Sequence, residues 1–361
     1  FQSPDAIMLR SFNIHDHELP ASLKAVARAG AGVNNIPVAS CTKKGIVVFN
    51  TPGANANAVK ELVIAALLMS SRGLVEGINW VSETAGEQDL AQAVEKQKSA
   101  YKGPEIMNKT LGVVGLGAIG VQVANAAEAM GMQVIGYDPY ISVEGAWGLS
   151  KNIVRAISLD HLITESDYIS FHIPLNDNTR ELINERKIEL MKKGVRIINF
   201  SREGLISHAP LKEALAEGKI ARYVTDFPDN ENVHFPNTIC IPHLGASTPE
   251  SEANCAVMAA KQLRDYLENG NIKNSVNFPI AEMPRSGKFR LIIANENKPR
   301  MVQQITSVLA DQDLNIEDML NKNRNEVAYN IIDTDRALSA EDINKLKAID
   351  GIIMVRALPD L

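Results

Sequence analysis

The sequence predicts an α/β protein built on a doubly wound parallel sheet, and two observations lead to this class. Short apolar runs alternate with helical patterns, with strands expected near 111–114, 133–137, 168–172, 195–200, 221–226 and 238–241. The stretch NKTLGVVGLGAIGVQVANAAEAMGMQVIGYD at 108–138 also places a glycine-rich turn between a strand and a helix. Strands that alternate with helices imply a parallel sheet covered on both faces. Together the two patterns indicate a Rossmann-type nucleotide domain.

Composition bounds the class of protein. A chain of 361 residues exceeds one ordinary core, so we expect two or three domains. Apolar residues make up 45% and charged residues 22%, as in globular proteins. The net charge of −6 weighs against a partner that is nucleic acid or an anionic membrane. No apolar run is long enough to span a bilayer, and no secretory signal pattern is present.

The three cysteines point to a reducing compartment. Cys41, Cys240 and Cys255 are far apart and show no CxxC spacing. They fit thiols of a cytoplasmic protein better than disulfides, and no metal site is expected. The chain begins at Phe1 and not at Met, which leaves open whether an N-terminal segment precedes it.

The elements before the glycine-rich turn are shorter and less regular. DAIML (5–9) and GIVVFN (45–50) are predicted strands, and LPASLKAVARAG (19–30) is a predicted helix. A second helix is expected from apolar spacing over 59–69, and a polar-faced third helix over 86–103.

The pattern of apolar and polar residues changes after the Pro-rich linker at 277–290. Beyond it the patterns run strand, helix, strand, strand, helix, strand, which is the βαββαβ order of a ferredoxin-like module. We therefore expect three regions. The first is a domain at 1–104 that is completed by about 246–285. The second is a nucleotide-binding domain at 105–245, and the third is a small module at 287–361.

The glycines of the turn suit a dinucleotide. Gly115 permits the tight turn, Gly117 lets the backbone approach a pyrophosphate, and Gly120 lets the helix pack closely on the strand. The helix N-terminus offers N–H groups to phosphate. Asp138 ends the next strand, where a carboxylate accepts both ribose hydroxyls and repels a 2′-phosphate. This pattern favours NAD over NADP.

A nucleotide loop needs further groups for chemistry, and three later segments supply candidates. Arg202 follows one buried strand, Asp226 ends another with Glu231 five residues on, and His243 follows a third and precedes Gly245. Hydride transfer at a 2-hydroxy acid needs a cation for the carboxylate and an acid/base for the hydroxyl proton. Ligands bind beyond the carboxyl ends of such strands, so these residues are the candidates.

The segments LRS (9–11), RAGAGVNNI (28–36), NTPGANANAVKELV (50–63), FHIPLNDNT (171–179), NFSREG and IPHLGAS carry a resemblance. With the glycine loop, they are similar to those of the D-isomer-specific 2-hydroxyacid dehydrogenases. The resemblance implies a flavodoxin-like substrate domain, and it assigns catalytic roles to Arg202, His243 and Glu231. Glu231 is then expected to hydrogen-bond the His243 imidazole and favour its protonated form. The usual EP after DVF is altered here to DNEN.

The resemblance also implies binding residues. Cofactor contacts carry over to Gly115, Gly117, Ala118, Ile119, Gly120, Asp138, His172, Ile173, Pro174, Thr179, Phe200, Ser201, Asp226 and Gly245. Substrate contacts carry over to Arg10, Ser11, Gly32, Val33 and Asn55.

The substrate is expected to be 3-phosphoglycerate, because Arg10 and Lys60 supply cations for a phosphate. Lys60 occupies a position that is usually alanine, and a solvated helix face is the other explanation for it. Hydroxypyruvate, glyoxylate and 2-oxoglutarate reduction remain alternatives. A non-enzymatic NAD-sensing protein, like the corepressors of this superfamily, is a further alternative.

The module at 287–361 resembles an ACT domain, which implies serine biosynthesis with serine as an effector. Asn295, Asn297 and Asn315 stand at effector positions, while Arg300 replaces the usual glycine of the loop. The alternative role is pairing of subunits through sheet edges. The family resemblance implies a homodimer or homotetramer.

Overall fold

A computed structural model describes residues 3–86, 89–286 and 289–358, and these form two compact units. The first unit comprises residues 1–54 and 252–361, and the second comprises residues 55–251. Within the described ranges, no helix combines the length and apolar composition of a membrane span.

The first unit opens with a small parallel sheet in the order β1-β2-β3. Its elements are β1 (Ala6–Leu9), β2 (Ala25–Arg28), α1 (Val38–Lys43) and β3 (Val47–Phe49). The helix predicted over 19–30 was wrong, because this segment contains β2. Ala25, Val26 and Ala27 are all fully buried, as in a parallel strand covered on both faces. Three strands make a smaller sheet than the flavodoxin-like domain that was expected.

The second unit holds the predicted doubly wound sheet. Seven parallel strands lie in the order β10-β9-β8-β7-β4-β5-β6, and all six strands predicted from the sequence are present. The elements are α2 (Ala56–Ser71), α3 (Leu74–Glu83), α4 (Leu90–Gln97), β4 (Thr110–Val114), α5 (Ala118–Ala129), β5 (Gln133–Tyr137), α6 (Val143–Gly148), β6 (Val154–Arg155), α7 (Leu159–Glu165), β7 (Tyr168–Phe171), α8 (Glu185–Leu190), β8 (Val195–Asn199), α9 (His208–Ala216), β9 (Ile220–Thr225) and β10 (Thr238–Cys240).

The boundary between units differs from the predicted domain boundary at 104/105. The helix α2 belongs to the second unit, because Val59, Val63 and Leu67 share a buried cluster with Val123 of α5 and Val224 of β9. Sequence alone places α2 beside the strand it follows. Its apolar face instead completes the core of the nucleotide-binding unit.

The first unit resumes at residue 252, within α10 (Pro249–Asn269), and continues into a four-stranded antiparallel sheet. The order β12-β13-β11-β14 and the helices between the strands confirm the predicted βαββαβ module. The remaining elements are β11 (Phe289–Glu296), α11 (Met301–Ala310), β12 (Ile316–Arg324), β13 (Val327–Thr334), α12 (Ala340–Lys347) and β14 (Ile352–Leu358).

Both faces of this sheet are buried at its two central strands, β11 and β13. One face packs Leu291 and Ile332 against α11 and α12. The other face shares a cluster with Phe49, Tyr266 and Phe278 from the rest of the first unit. The module is therefore built into the core of the first unit.

Candidate active site

The three candidate catalytic segments follow adjacent strands of the second unit. Arg202 lies three residues beyond β8, Asp226 comes directly after β9, and His243 lies three residues beyond β10. These strands are neighbours in the sheet, and all are parallel. Their carboxyl ends therefore meet at one edge, with the Asp226 segment in the middle.

Asp226 is the buried acid of this edge. The side chain is 1% exposed, and its Oδ2 accepts a hydrogen bond of 3.2 Å from the Gly245 N–H. Its Oδ1 is buried and has no hydrogen-bond partner among the described residues. Burial raises the pKa of Asp226, while the nearby imidazole of His243, the Gly245 N–H and the Arg202 guanidinium oppose that rise. An unpartnered carboxylate oxygen is an acceptor ready for a ligand N–H.

His243 and Arg202 are exposed, as groups that meet a ligand must be. The His243 ring lies 4.8 Å from the ring of Phe227, centroid to centroid. The Arg202 guanidinium donates through Nη1 to the Ser201 carbonyl at 2.6 Å, which leaves its other N–H groups available. No pairing of Arg202 with a carboxylate occurs within the described residues.

Asn199 is a positioning residue that sequence reasoning missed. It is 2% exposed, its Nδ2 donates to the Arg202 carbonyl at 2.9 Å, and its Oδ1 accepts from the Ser201 N–H at 3.2 Å. These bonds fix the turn that carries Arg202. A polar residue that ends the apolar strand VRIIN was the available signal.

Glu231 does not contact His243 in the structure. Its Oε2 lies 3.5 Å from Nδ1 of His208, and Nε2 of His208 lies 3.5 Å from Oδ2 of Asp229. Among the described residues, no hydrogen bond or ion pair joins Glu231 to His243. The predicted contact is therefore absent from this conformation, because His208 at the start of α9 offers the nearer imidazole. The catalytic role of Glu231 stays a prediction.

The glycine turn has the geometry that its sequence indicates. Gly115 adopts φ +91°, and a Cβ there would approach the His172 carbonyl oxygen to 2.5 Å. A Cβ at Gly120 would lie 1.9 Å from the Gly115 oxygen, whereas a Cβ at Gly117 would meet nothing within 4 Å. The turn is thus tightly packed at Gly115 and Gly120 and open at Gly117. Gly117 is the N-cap of α5, and this helix N-terminus has no side-chain cap.

Asp138 is held in a fixed orientation. Its Oδ2 accepts from the Leu116 N–H and its Oδ1 from the Tyr140 N–H, each at 2.8 Å. A cavity of about 560 Å³ lies beside it, lined by apolar residues that include Leu116, Pro139, Ile141 and Ile153. This is a suitable size for an adenine and ribose. The open glycine turn, the anchored acid and the orphaned Asp226 oxygen all fit a dinucleotide.

The remaining predicted cofactor residues flank the same sheet edge. Burial lowers the pKa of His172 to about 3, and its Nε2 hydrogen-bonds Ser170 at 2.9 Å. Thr179 donates to the Pro174 carbonyl at 2.7 Å, which closes the turn after β7. Ser201 Oγ donates to the Ile173 carbonyl at 2.5 Å and ties this turn to the Arg202 turn. Phe200 belongs to the buried cluster beneath, the partly buried Ile119 packs against that cluster, and Ala118 is the first residue of α5.

The predicted substrate residues are divided between the units. Arg10, Ser11, Gly32 and Val33 lie in the first unit, while Asn55 precedes α2 in the second. Lys60, also on α2, approaches Glu61 at 3.8 Å with a side chain that is 22% exposed. The predicted role of Lys60 at a phosphate stays a prediction.

The predicted effector residues have different surroundings. Asn295 is 1% exposed, and its Oδ1 accepts from Asn330 at 2.8 Å. Asn297 is bonded to the Asn325 carbonyl at 3.0 Å, and Asn315 is exposed. Arg300 adopts φ +70°, the left-handed conformation that favours the glycine usual in this loop.

Comparison with known proteins identifies the family. Residues 64–245 match the family described as D-isomer specific 2-hydroxyacid dehydrogenase, NAD binding domain. The chain belongs to this family.

Two relatives of this chain are proteins named D-3-phosphoglycerate dehydrogenase. The chain is 38% identical over 279 residues to D-3-phosphoglycerate dehydrogenase of Methanocaldococcus jannaschii, covering 76% of this chain and 51% of the relative. It is 32% identical over 340 residues to the enzyme of that name from Escherichia coli, covering 91% and 79%. The chain thus spans about half the length of several relatives that it matches.

Solved structures of the family have the same fold. D-mandelate dehydrogenase of Rhodotorula graminis is 25% identical with a TM-score of 0.67, covering 78% of this chain and 85% of that one. The NAD⁺-bound 3-phosphoglycerate dehydrogenase of Entamoeba histolytica is 29% identical with a TM-score of 0.58, covering 76% and 82%.

Proposed function

We propose that this chain catalyses the NAD-dependent oxidation of D-3-phosphoglycerate to 3-phosphohydroxypyruvate, the first step of serine biosynthesis. The observation that carries the proposal is the junction of Arg202, Asp226 and His243 at the carboxyl ends of three adjacent strands. The relatives that bear this activity in their names support the choice of substrate.

The residues divide the chemistry between them. NAD, when bound, supplies the acceptor for the hydride that leaves C2 of the substrate. Asp138, the Gly117 turn and the free Oδ1 of Asp226 are the groups that would hold it. The His243 imidazole takes the C2 hydroxyl proton as a general base. The planar fork of Arg202 holds the carboxylate and the developing carbonyl oxygen.

Glu231 completes the proposal as the partner of His243. A carboxylate beside the imidazole stabilises the protonated ring that forms when the base accepts a proton. Its side chain is 74% exposed, and among the residues that the structure describes its one side-chain partner is His208 at 3.5 Å. A rotation of the side chain therefore costs little free energy. We propose that Glu231 contacts the His243 imidazole when substrate and NAD are bound.

The direct test is NADH absorbance after 3-phosphoglycerate and NAD are mixed with the protein. We expect turnover with wild type, and a loss of at least about 100-fold in kcat for His243→Ala with unchanged NAD affinity. NAD binding without turnover on any 2-hydroxy acid would favour the non-enzymatic sensor. Faster reduction of hydroxypyruvate, glyoxylate or 2-oxoglutarate would assign another member of the family. Near-normal turnover of His243→Ala would overturn the assignment of the base.

Assembly and compartment complete the proposal. Leu74, Ile78 and Val81 on α3 are exposed, with Ile78 at 66%, which supports a homodimer through this helix. Light scattering should give a dimer or a dimer of dimers for wild type and a smaller species for Ile78→Asp. The three cysteines are unpaired, in keeping with the cytoplasm.

Serine remains the proposed effector of the C-terminal module. Asn297 and Asn315 are the predicted effector residues with exposed side chains, whereas the buried amide of Asn295 is already bonded. We expect L-serine to lower turnover in wild type and to lose that effect in Asn297→Ala. Equal turnover with and without serine would leave the module a structural role alone.

A further inference from the structure

A cavity of about 560 Å³ lies within the first unit, beside helix α10. Residues of α10 from Asn254 to Asp265 form one wall, and residues 271, 273 and 274 after the helix form another. Gly53 and Ala54, in the loop that follows β3, close a third side. No lining residue in the described structure is among those predicted to contact cofactor, substrate or effector, so the cavity is a separate candidate site.

Gln262 lies in the α10 wall and carries an unused acceptor. Its side chain is 8% exposed, and its Nε2 donates to the Asn50 carbonyl at 3.0 Å. A carbonyl oxygen can only accept, so this bond fixes which end of the amide is nitrogen. The Oε1 atom at the other end is buried and has no hydrogen-bond partner within the described ranges. A buried acceptor without a donor is unfavourable, so this wall favours a ligand that brings an N–H or O–H group.

The charges around the cavity favour an anion. Lys261 is exposed, and no ion pair involves it in the part of the chain that the structure describes. Nζ of Lys273 approaches Glu282 only at 4.0 Å, and the lysine side chain is 67% exposed. The acid of the wall, Asp265, already accepts from two asparagine amides at 2.9 and 3.1 Å. The two lysines are thus available to a ligand, and ammonium groups bind phosphate as point charges.

The volume and the apolar part of the lining set the size of the ligand. The cavity is in the range of roughly 300–1,000 Å³ that drug-sized ligands fill, so a free amino acid would leave most of it empty. Val257 and Met258 add apolar surface, against which a flat ring can pack. A nucleotide combines the three properties, because it has an aromatic base, an amino group on some bases, and a phosphate.

We propose that this cavity binds a nucleoside monophosphate whose base carries an exocyclic amino group. The amino group donates to Oε1 of Gln262, the base packs on Val257 and Met258, and the phosphate binds Lys261 and Lys273. The cavity belongs to the first unit, whereas the glycine turn that is expected to hold NAD belongs to the second. The proposal goes beyond the proposed function, and its test requires no turnover.

Calorimetric titration of the full chain with AMP tests the site. NAD is held at saturation, so that AMP cannot occupy the cavity beside Asp138. Purine riboside 5′-monophosphate is the matched ligand, since it differs from AMP only by lacking the amino group. We expect AMP to bind about tenfold more tightly, as for one hydrogen bond to an otherwise unpaired buried acceptor. Equal affinities of the two nucleotides, or no AMP binding when NAD is saturating, would overturn the proposal.

Variants locate the binding. Lys261→Gln should weaken AMP binding about fivefold, because it removes a cation from an exposed position without disturbing the core. Arg264→Gln is the matched control, since it removes an exposed cation of α10 that does not line the cavity, and it should change the affinity less than about twofold. Equal AMP affinity in wild type and Lys261→Gln would refute the site.

Gln262→Leu should abolish the preference for AMP over the purine analogue. This variant also removes the hydrogen bond to Asn50, so its folding is checked by circular dichroism. If it does not fold, the two ligands and Lys261→Gln decide the question. A folded Gln262→Leu that keeps the tenfold preference would show that the amino group binds elsewhere, and the assignment of Gln262 would be wrong.

Discussion

The carboxylate of Glu231 rests against Nδ1 of His208 at 3.5 Å, and His208 also has Asp229 at 3.5 Å from its other ring nitrogen. Asp229 holds the backbone of this loop, because its Oδ1 accepts from the Glu231 N–H at 2.7 Å and from the Asn232 N–H at 2.8 Å. The loop backbone is therefore fixed, and the Glu231 side chain is the part that can move between imidazoles.

Glu231 and His208 should differ in their effect on catalysis. We expect Glu231→Gln to lower kcat about 10- to 100-fold, because an amide cannot stabilise a protonated His243. His208→Asn should change kcat less than about threefold, since it removes only the resting partner. Turnover assays of the two variants and the double variant decide the matter. If His208→Asn is as damaging as Glu231→Gln, the resting pair is itself needed for the reaction.

Asp226 should lower stability in exchange for function. Its pKa is raised above the 3.8 of the ordinary group, so the folded state keeps this proton to higher pH than the unfolded state does. The stability that Asp226 contributes therefore falls as the pH rises from its pKa in the unfolded state through its higher pKa in the folded state. The loss is complete above both pKa values. Asp226→Asn should raise the unfolding temperature at pH 7 by about 2 °C and abolish most turnover.

The pH dependence is the control for that effect. Near pH 3, where the carboxyl is protonated in both states, Asp226→Asn and wild type should unfold at nearly the same temperature. A constant difference from pH 3 to pH 7 would show that packing, and not the buried charge, is responsible.

Gly117 and Gly120 provide a matched pair of substitutions in the nucleotide turn. Gly120→Ala should lower the free energy of unfolding by about 1–3 kcal/mol, because the new Cβ meets the Gly115 oxygen at 1.9 Å. Gly117→Ala faces open space and should cost at most about 1 kcal/mol as a poorer N-cap. It should nevertheless weaken NAD binding at least about tenfold. Titration with NAD and thermal unfolding separate the two effects, and unchanged NAD affinity in Gly117→Ala would argue against a pyrophosphate at this turn.

A buried ion pair secures the C-terminal module. Arg290 and Asp333 are fully buried and joined by two hydrogen bonds of 2.6 and 2.8 Å, and Arg290 also donates to the carbonyls of Asn269, Met283 and Pro284. Arg290→Met should lower the free energy of unfolding by about 3–5 kcal/mol, because it removes the counter-charge of a buried carboxylate. Glu341→Gln, which breaks the exposed pair with Lys345, should cost less than about 1 kcal/mol. Denaturant unfolding measures both.

The stability that this ion pair contributes depends on pH in the opposite direction to that of Asp226. Burial alone would raise the pKa of Asp333, but the hydrogen bonds from Arg290 and Ser286 together lower it. The ion pair therefore contributes its full stability above pH 3.8, which is the ordinary pKa of the carboxyl group. This stability is lost as the pH falls through the lower pKa that Asp333 has in the folded state. Equal acid stability of wild type and Arg290→Met would contradict this account.

Much of the fold was predictable because local patterns repeat there. The glycine turn, the six strands of the large sheet and the βαββαβ module all follow from apolar periodicity and turn residues, and all are present. The segment 19–30 was the failure. Its run of small apolar residues satisfies both helix and buried strand, and only pairing with β1 and β3 selects the strand.

The sequence by itself determined the nucleotide turn, the acid Asp138 and the order of Arg202, Asp226 and His243 along the chain. Each depends on local backbone chemistry, which a few neighbouring residues specify. Only the tertiary structure decided that Glu231 rests on His208 and that α2 completes the nucleotide-binding unit. Those relationships join segments distant in sequence, and long-range packing and charge balance, which leave no local pattern, set them.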